Sequence, residues 1–516
     1  MTDRITDLAI SRRALLAGTA AMTAGVLGVP GLPQAQAARK GVLKYATLGL
    51  DTADPHRHTG SIAVQQAYVE TLTSIASDGA VEPFLAESFQ VSPDGKTYTF
   101  KLRQNVKFHN GDTLKSADVA ANLERVKNKV KGGWLVTAIK LVSKLETPDD
   151  NTLVVTLDAP YSPFLNLLSE LWILSPKSEG WDETIKTPIG TGPFTFGTWQ
   201  PKVKLVAPAF PGYWKSGLPK VERVEFDLRD GVDKSLALRA GDLHIIQLDR
   251  EPAETLKKVG AADILGLKDT SWFSIAFNNR KPRKPFDDIR VRQALALAVD
   301  KPAFMNFMGG EQGIVTNQIV APGNAYFDKA WHDADPFRKP DLDKAKKLLA
   351  DAGVKPADHT IEFVSWQESY AQVVVQMVRK LGFKVNHVAL DDVGAQKRLG
   401  QYDWDMNVMS SGPRADIFLR YVRLMSDGPN PTLWGGIQDP ELDRMINAGV
   451  QEPDQAKRKA NYLTASKHID DKAYFYVIGH SPSLIAVKKG VKGYESGFTW
   501  ACHWASGGVA HTTIDS

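Results

Sequence analysis

The sequence predicts an α/β fold in two lobes, on three observations. Segments with period-two alternation of apolar residues interleave with segments of helical spacing from residue 42 to residue 469. No low-complexity linker and no internal repeat separates the two halves, so the chain is expected to cross between lobes as ordered strands rather than as a tether. Composition is that of a globular protein, 43% hydrophobic and 24% charged, and no apolar run beyond residue 37 approaches the roughly 20 residues of a bilayer span.

The first element is a leader. Ser11-Arg12-Arg13-Ala14-Leu15-Leu16 opens an Ala/Gly/Leu/Val run over 14–29, and Ala35-Gln36-Ala37 places small residues at −3 and −1 of a cleavage site. The run is too short and too glycine-rich for a membrane anchor. A cleaved signal peptide over 1–37 is therefore expected, with the mature protein starting at Ala38 in a Gram-negative periplasm. The paired arginines point to Tat export, although the motif lacks the Phe and following Lys of the fuller consensus and leaves Sec open.

The single cysteine, Cys502, cannot accept a lipid at the cleavage site or form an intramolecular disulfide, and a buried inert thiol is its expected state. The net charge of +4 falls to +3 without the leader, because Arg4, Arg12 and Arg13 outweigh Asp3 and Asp7 by one. Over about 480 residues, enough for two or three domains, such an excess does not suggest nucleic-acid binding.

The mature chain begins with a strand over 42–48 and a helix over 62–75, the latter from apolar spacing at Ile62, Val64, Ala67, Tyr68 and Leu72. Ser92-Pro93-Asp94-Gly95 is a turn sequence leading into an alternating strand at 97–102. A helix follows over 116–126 with Ser116 as its cap, then a strand at 153–157, then a helix starting at 162–165 with Pro163 in its first turn. Residues 188–194 (PIGTGPF) resemble a phosphate loop only superficially. The third glycine and the Lys-Ser/Thr are missing and a strand follows, so a tight structural turn is expected.

Helices are expected over 288–299, 342–352, 372–381, 440–449 and 455–469, with strands at 360–364, 384–388 and 406–409. Gly353 and Gly382 stand where two of these helices stop.

Ordered blocks then carry a resemblance across nearly the whole mature chain. Tyr68-Val69-Glu70-Thr71-Leu72, residues 83–88 (PFLAES), 92–111 (SPDGKTYTFKLRQNVKFHNG), Asp118-Val119, 188–194, Tyr213-Trp214, 238–242 (LRAGD), 286–301 (FDDIRVRQALALAVDK) and 439–446 (DPELDRMI) resemble extracellular solute-binding family 5. This is the dipeptide, oligopeptide and nickel-binding class that feeds ABC importers.

The resemblance implies an α/β, two-lobed periplasmic binding protein fold with an additional subdomain on lobe I. Lobe I would comprise 38–276 plus 484–516, with the inserted subdomain at about 60–186, and lobe II would comprise 277–483. Hinge strands would lie near 274–278 and 484–487, and solute touching both lobes would favour the closed state.

In peptide-binding members, a segment resembling Gly-Trp-x-x-Asp-x-x-Asp-Pro places its first aspartate on the ligand ammonium. Here the segment reads Gly412-Pro413-Arg414-Ala415-Asp416-Ile417-Phe418-Leu419-Arg420: Asp416 keeps the ammonium position, while the tryptophan and the second Asp-Pro are lost. Arg414 is expected either to neutralise Asp416 or to present its planar fork to a carboxylate or phosphate of the solute. An ordinary solvated loop pair is the alternative.

Trp366, Trp404, Trp434, Trp500 and Trp504 offer flat faces for a solute or, equally, core bulk, and Asn278 is a polar candidate on the hinge side. The histidines, with His56 and His58 the nearest approach to a pair and His109 at a strand-turn boundary, lack ligand spacing. No metal or cofactor is expected.

The expected function is a binding component of a peptide import system, monomeric, not an enzyme, with an inner-membrane ABC permease and its ATPases as partners. A non-peptide zwitterionic or anionic solute, such as an opine, sugar phosphate or metal chelate, is the alternative that the altered 412–420 segment keeps open. An exported hydrolase is more remote, since Gly479-His480-Ser481-Pro482-Ser483 lacks the second glycine of a nucleophile elbow and no His-Glu-x-x-His occurs.

Overall fold

The computed structural model describes residues 39–47, 49–57, 62–130, 134–267, 269–366, 369–390, 392–428, 431–498 and 502–515. The leader over 1–37 and Trp500 lie outside them. Two large sheets organise the chain. The first runs in the order Trp199–Gln200, Lys204–Pro208, Arg223–Asp227, Val42–Ala46, Ile245–Leu248, Leu484–Lys488, Ala262–Gly266. Val42–Ala46 pairs parallel with both neighbours, and Leu484–Lys488 pairs antiparallel with both of its own.

The second sheet runs Ile314–Val315, Phe475–Ser481, Ser271–Phe277, Met406–Ser411, Thr360–Trp366, Lys384–Leu390. Helices Ile289–Ala298, Leu342–Asp351 and Ser369–Arg379 pack with this sheet in one apolar core, which holds Val291, Leu295, Leu349, Val374 and Val378. A separate four-stranded antiparallel sheet orders Ala86–Val91, Thr97–Leu102, Thr152–Leu157 and Val142–Asp149. The two-lobed α/β architecture follows from these sheets.

The chain passes between the two large sheets twice, and the passages lie side by side. Gly266 pairs with Leu484 at the end of the first sheet, and Ser271 pairs with Ser481 at the start of the second. Pro482, which has no N–H to continue a ladder, separates the two strands on the return passage. Residues 274–278 and 484–487, where hinge strands are expected from sequence, are largely interior to sheet strands. The passages themselves are 267–270 and 482–483.

Most elements lie where the sequence places them. The turn at Gly95 has φ +69°. Asp288 caps its helix through the Arg290 N–H, and the helix starting at Leu342 stops before Gly353 at φ +72°. Ser116, expected as a cap, is instead the first helical residue: its hydroxyl donates to the Asp149 carbonyl (2.6 Å), while the Asp118 carboxylate accepts the Lys115 N–H (2.9 Å).

The helix expected over 62–75 extends only over Ile62–Gln65. Glu70–Thr71 pairs with Trp172–Ile173, and Thr73–Ile75 pairs with Val81–Pro83. The apolar spacing there reflects burial on every side, which helical periodicity cannot distinguish from a buried extended run rich in β-branched residues.

The 188–194 loop is a structural turn. A Cβ on Gly190 would lie 2.0 Å from the Tyr68 carbonyl oxygen, and one on Gly192 2.7 Å from that of Ala67. Its glycines thus permit close backbone approach rather than phosphate binding. Gly190→Ala is expected to cost about 1–3 kcal/mol of stability through this overlap, read as a lowered urea midpoint.

Candidate functional site

The site is built on the edge where the two passages meet. Met406–Ser411 ends at Gly412 and Pro413, and Ser411 pairs with Trp272, so the following loop emerges beside the passage 267–270. Asp269 in that passage ties the loop down: its Oδ2 accepts the Arg414 backbone N–H (3.0 Å) and Arg420 Nη2 (2.6 Å), and its Oδ1 accepts the Thr270 N–H (2.9 Å).

Beyond this loop opens a cavity of about 620 Å³. The part of the chain carrying the first sheet contributes Ser77, Asp78 and Asn166, the part carrying the second contributes residues 320–326, Arg414, Asp416, Arg420 and Arg458, and Phe498 comes from the C-terminal stretch. The two parts touch around it. Asn166 Nδ2 donates to the Ala415 carbonyl (2.7 Å), the Ser162 hydroxyl donates to the Glu452 carbonyl (2.6 Å), and the Tyr161 and Phe418 rings meet edge to face at 5.8 Å.

Asp416 is buried and bound bidentately by Arg458, Nη2 to Oδ1 at 2.7 Å and Nη1 to Oδ2 at 3.0 Å. Its Oδ1 also accepts the Phe418 N–H (2.8 Å), fixing the turn into the short helix Phe418–Tyr421. Arg458 is itself fixed by the Gly449 carbonyl, the Tyr326 hydroxyl (2.7 Å) and the rings of Tyr326 and Tyr462.

Neutralisation of Asp416 by Arg414 is thus corrected: Arg458 does it. Arg414, half-buried, donates from Nη1 to its neighbour's carbonyl, Pro413 (3.2 Å), with no carboxylate at ion-pair distance among the described residues. Burial and the charge of Arg414 hold the Arg423 guanidinium down to about 9. Burial pushes the Glu170 carboxyl up to about 7, against the pull of Arg414.

Of the sequence candidates, Asp416 and Arg414 line this cavity and the other five do not. Trp434 stacks on Trp272 at 4.6 Å inside the core. Trp404 is fully buried and donates Nε1–H to the Leu399 carbonyl (3.0 Å). Trp366, at the end of its strand, is half-buried against Val364, Leu399 and Trp404. Asn278 spends its amide on the carbonyls of Tyr402 and Trp404, and its Oδ1 accepts the N–H groups of Arg280 and Lys281, so it ties strand ends together. Trp504 is buried in a second, much smaller pocket with Glu170 and Trp172.

His56, His109 and His480 make structural contacts, and His58 lies outside the described residues. His109 Nε2 meets the Gly192 carbonyl (3.0 Å), and its pKa falls to about 4 on burial. His56 lies between the Trp172 carbonyl and Arg125. His480, in the segment resembling a nucleophile elbow, is held by Thr270 and the Gln318 carbonyl and depressed to about 3 by burial. Asp439, Glu441 and His468 are grouped closely enough to hold a metal ion. Asp439 there is a helix cap taken up by the N–H groups of Glu441 and Leu442, His468 and the Tyr474 hydroxyl. Burial raises the thiol pKa of Cys502, which donates to the Ala63 carbonyl.

Sequence reading missed Asp269, Tyr326 and Arg458. Arg458 lies 42 residues from Asp416 on a helix whose other charges look alike, so no local spacing joins them. Arg420 carried a signal, since it stands where the family segment has proline.

Two lobes joined by paired passages enclose a polar cavity of a size that holds a small solute. The model of the bacterial extracellular solute-binding proteins, family 5, matches residues 80–428, and the chain belongs to that family, the solute-binding proteins of ABC importers. The glutathione-binding protein of Shigella dysenteriae is 30% identical over 452 residues, covering 83% of this chain and 86% of its own.

A binding protein from A. tumefaciens R10 in complex with agropinic acid is 27% identical, with a TM-score of 0.76 over 92% of this chain and 99% of its own. A periplasmic binding protein from Helicobacter pylori in complex with the peptide STSA shares the fold, with a TM-score of 0.76 at 23% identity over 93% and 99% of the two chains. The relatives matched are binding proteins, and the family is extracellular. Among the described residues no helix is long and apolar enough to cross a membrane.

Proposed function

We propose that this protein is the periplasmic receptor of a peptide-type importer, capturing a short peptide in the 620 Å³ cavity and presenting the closed form to an inner-membrane permease driven by its ATPases. The carrying observation is that the cavity is walled by both parts of the chain, which are connected only through 267–270 and 482–483 along the backbone. Solute that contacts both walls favours closure by its differential affinity for the closed state. In this reading the protein acts as a monomer, is exported through Tat and is cleaved after Ala37. N-terminal sequencing of the periplasmic protein checks the last point, with Ala38 as the first residue.

An anionic non-peptide solute is the second reading. The unpaired Arg414 favours it, together with the likeness to the agropinic acid complex. Thermal-shift and calorimetric titration with trialanine, Met-Leu and glutathione, against opines, sugar phosphates and metal chelates, tests both. A peptide that binds with Kd below about 100 μM raises Tm with concentration, as mass action requires. If none of these solutes binds, both the peptide and the anionic-solute readings fail.

A further inference from the structure

A smaller pocket of about 30 Å³ adjoins the main cavity, with Ala415 in the wall of both. Glu170 lines it together with Phe84, Trp172 and Trp504, aromatic residues each at most 3% exposed. The short helix Phe164–Leu167 sets this carboxylate in place, since the turn that follows it is closed by the Glu170 N–H on the Leu167 carbonyl (3.0 Å). Asn166, in the same helix, holds the Ala415 carbonyl of the opposite wall (2.7 Å).

Glu170 differs from the buried carboxylates of these walls. Asp416 is bound by Arg458 and Asp269 by Arg420. Glu70 accepts from the Tyr213 hydroxyl (2.7 Å), Trp214 Nε1 (2.9 Å) and the Thr191 hydroxyl (2.9 Å). The Glu170 carboxylate, half-buried, makes no hydrogen bond or ion pair among the described residues. Polar neighbours in the same wall are committed elsewhere: the Ser74 hydroxyl to Glu82 (2.7 Å), the Thr71 hydroxyl to the Thr73 carbonyl (2.6 Å), and His503 Nε2 to the Tyr213 hydroxyl (3.2 Å) and Glu70 (3.5 Å). Lys215, over the Phe84 ring, donates to the Ala505 carbonyl. Burial without a donor pushes the Glu170 carboxyl up to about 7, and a cation brought to it favours the ionised form. Aromatic walls add to the attraction for a cation, and a space of this size holds only about one or two water-sized groups, which suits an ammonium head.

We infer that the small pocket takes the terminal ammonium of the solute on Glu170, with the remainder of the solute in the main cavity. This rests on the reading of the gap between the two parts as the solute site. It moves the ammonium from Asp416, whose cation Arg458 already supplies, to a carboxylate that has none. Glu170 belongs to the part carrying the first sheet and the 412–420 loop to the part carrying the second, so a solute lodged in both cavities bridges the two, as closure requires.

Calorimetric titration with two matched peptides tests this: trialanine and propionyl-Ala-Ala, which is trialanine without its amino group. The titrations are run at pH 7, where a peptide's terminal amine is largely protonated. Propionyl-Ala-Ala should bind the unaltered protein at least about tenfold more weakly than trialanine, as expected when one member of a buried charge pair is removed. Glu170→Gln should weaken trialanine at least about tenfold and leave propionyl-Ala-Ala within about threefold of its original affinity, the two losses being non-additive. Thermal melts show that the variant is folded, the expected state since glutamine removes a buried charge. Equal binding of the two peptides by the unaltered protein overturns the inference. So does a loss on removal of the amino group that persists undiminished in Glu170→Gln, which places the ammonium on another carboxylate. Absence of binding by both peptides instead removes the peptide reading, and this inference with it.

Discussion

Asp416→Ala is expected to destabilise the protein by about 3–5 kcal/mol, the cost of leaving a buried charge without its partner. Asp416 and Arg458 are each 7% exposed, so water cannot replace the lost carboxylate. The coupling also holds Arg458 charged, raising its pKa even though burial alone would lower it. The paired replacement Asp416→Leu with Arg458→Met should recover most of the loss, because removing both charges from a buried pair is far less costly than removing one. Urea denaturation of the single and double variants measures this directly. A single variant as stable as the parent would mean that the pair does not form in solution, and Asp416 would be free to meet a solute.

The same residue shows how much of the site was legible beforehand. The 412–420 segment, singled out by its departures from the family pattern, Pro413 in place of tryptophan and Leu419-Arg420 in place of Asp-Pro, lines the cavity through Arg414, Asp416 and Arg420. The partners were not legible. Asp269 and Arg458 reach the loop from 145 and 42 residues away, and nothing in local periodicity encodes such pairings.

The fold was read more completely than the site for a related reason. Helices such as Pro440–Gln451 and strands such as Thr97–Leu102 have one buried face and one exposed face, and that asymmetry is written in the spacing. Residues 70–75 are buried on all sides, so their spacing carried no such information and the expected helix was an extended pair of short strands. Tryptophans fail as site markers on the same ground: Trp404 and Trp434 are chemically suited to a solute face and to a core, and here the core takes both.

Glu170→Gln is expected to stabilise the protein by about 2–3 kcal/mol at pH 8 and to leave it nearly unchanged at pH 4. Burial raises the Glu170 carboxyl to about 7, above its ordinary value, while Arg414 pulls it back only in part. Between the ordinary carboxyl range and pH 7 the folded protein therefore holds a proton that the unfolded chain has released. Stability falls as pH rises through that window, and above about 7 the whole cost of burying the carboxylate is present. Glutamine keeps the neutral shape without the titration, so its gain grows as pH rises from the ordinary carboxyl range to about 7 and is constant above it. His503 shares the small pocket with Glu170, but burial lowers its pKa, so its protonation opposes this trend only on the acid side. Thermal melts of parent and variant from pH 4 to pH 9 separate the two contributions: curves that diverge between the ordinary carboxyl range and about pH 7 and stay a constant distance apart above it support the assignment to Glu170, and curves that are parallel throughout refute it. The consequence reaches the cavity, since the carboxylate that forms above pH 7 stands within electrostatic reach of Arg414 and competes there with an anionic solute.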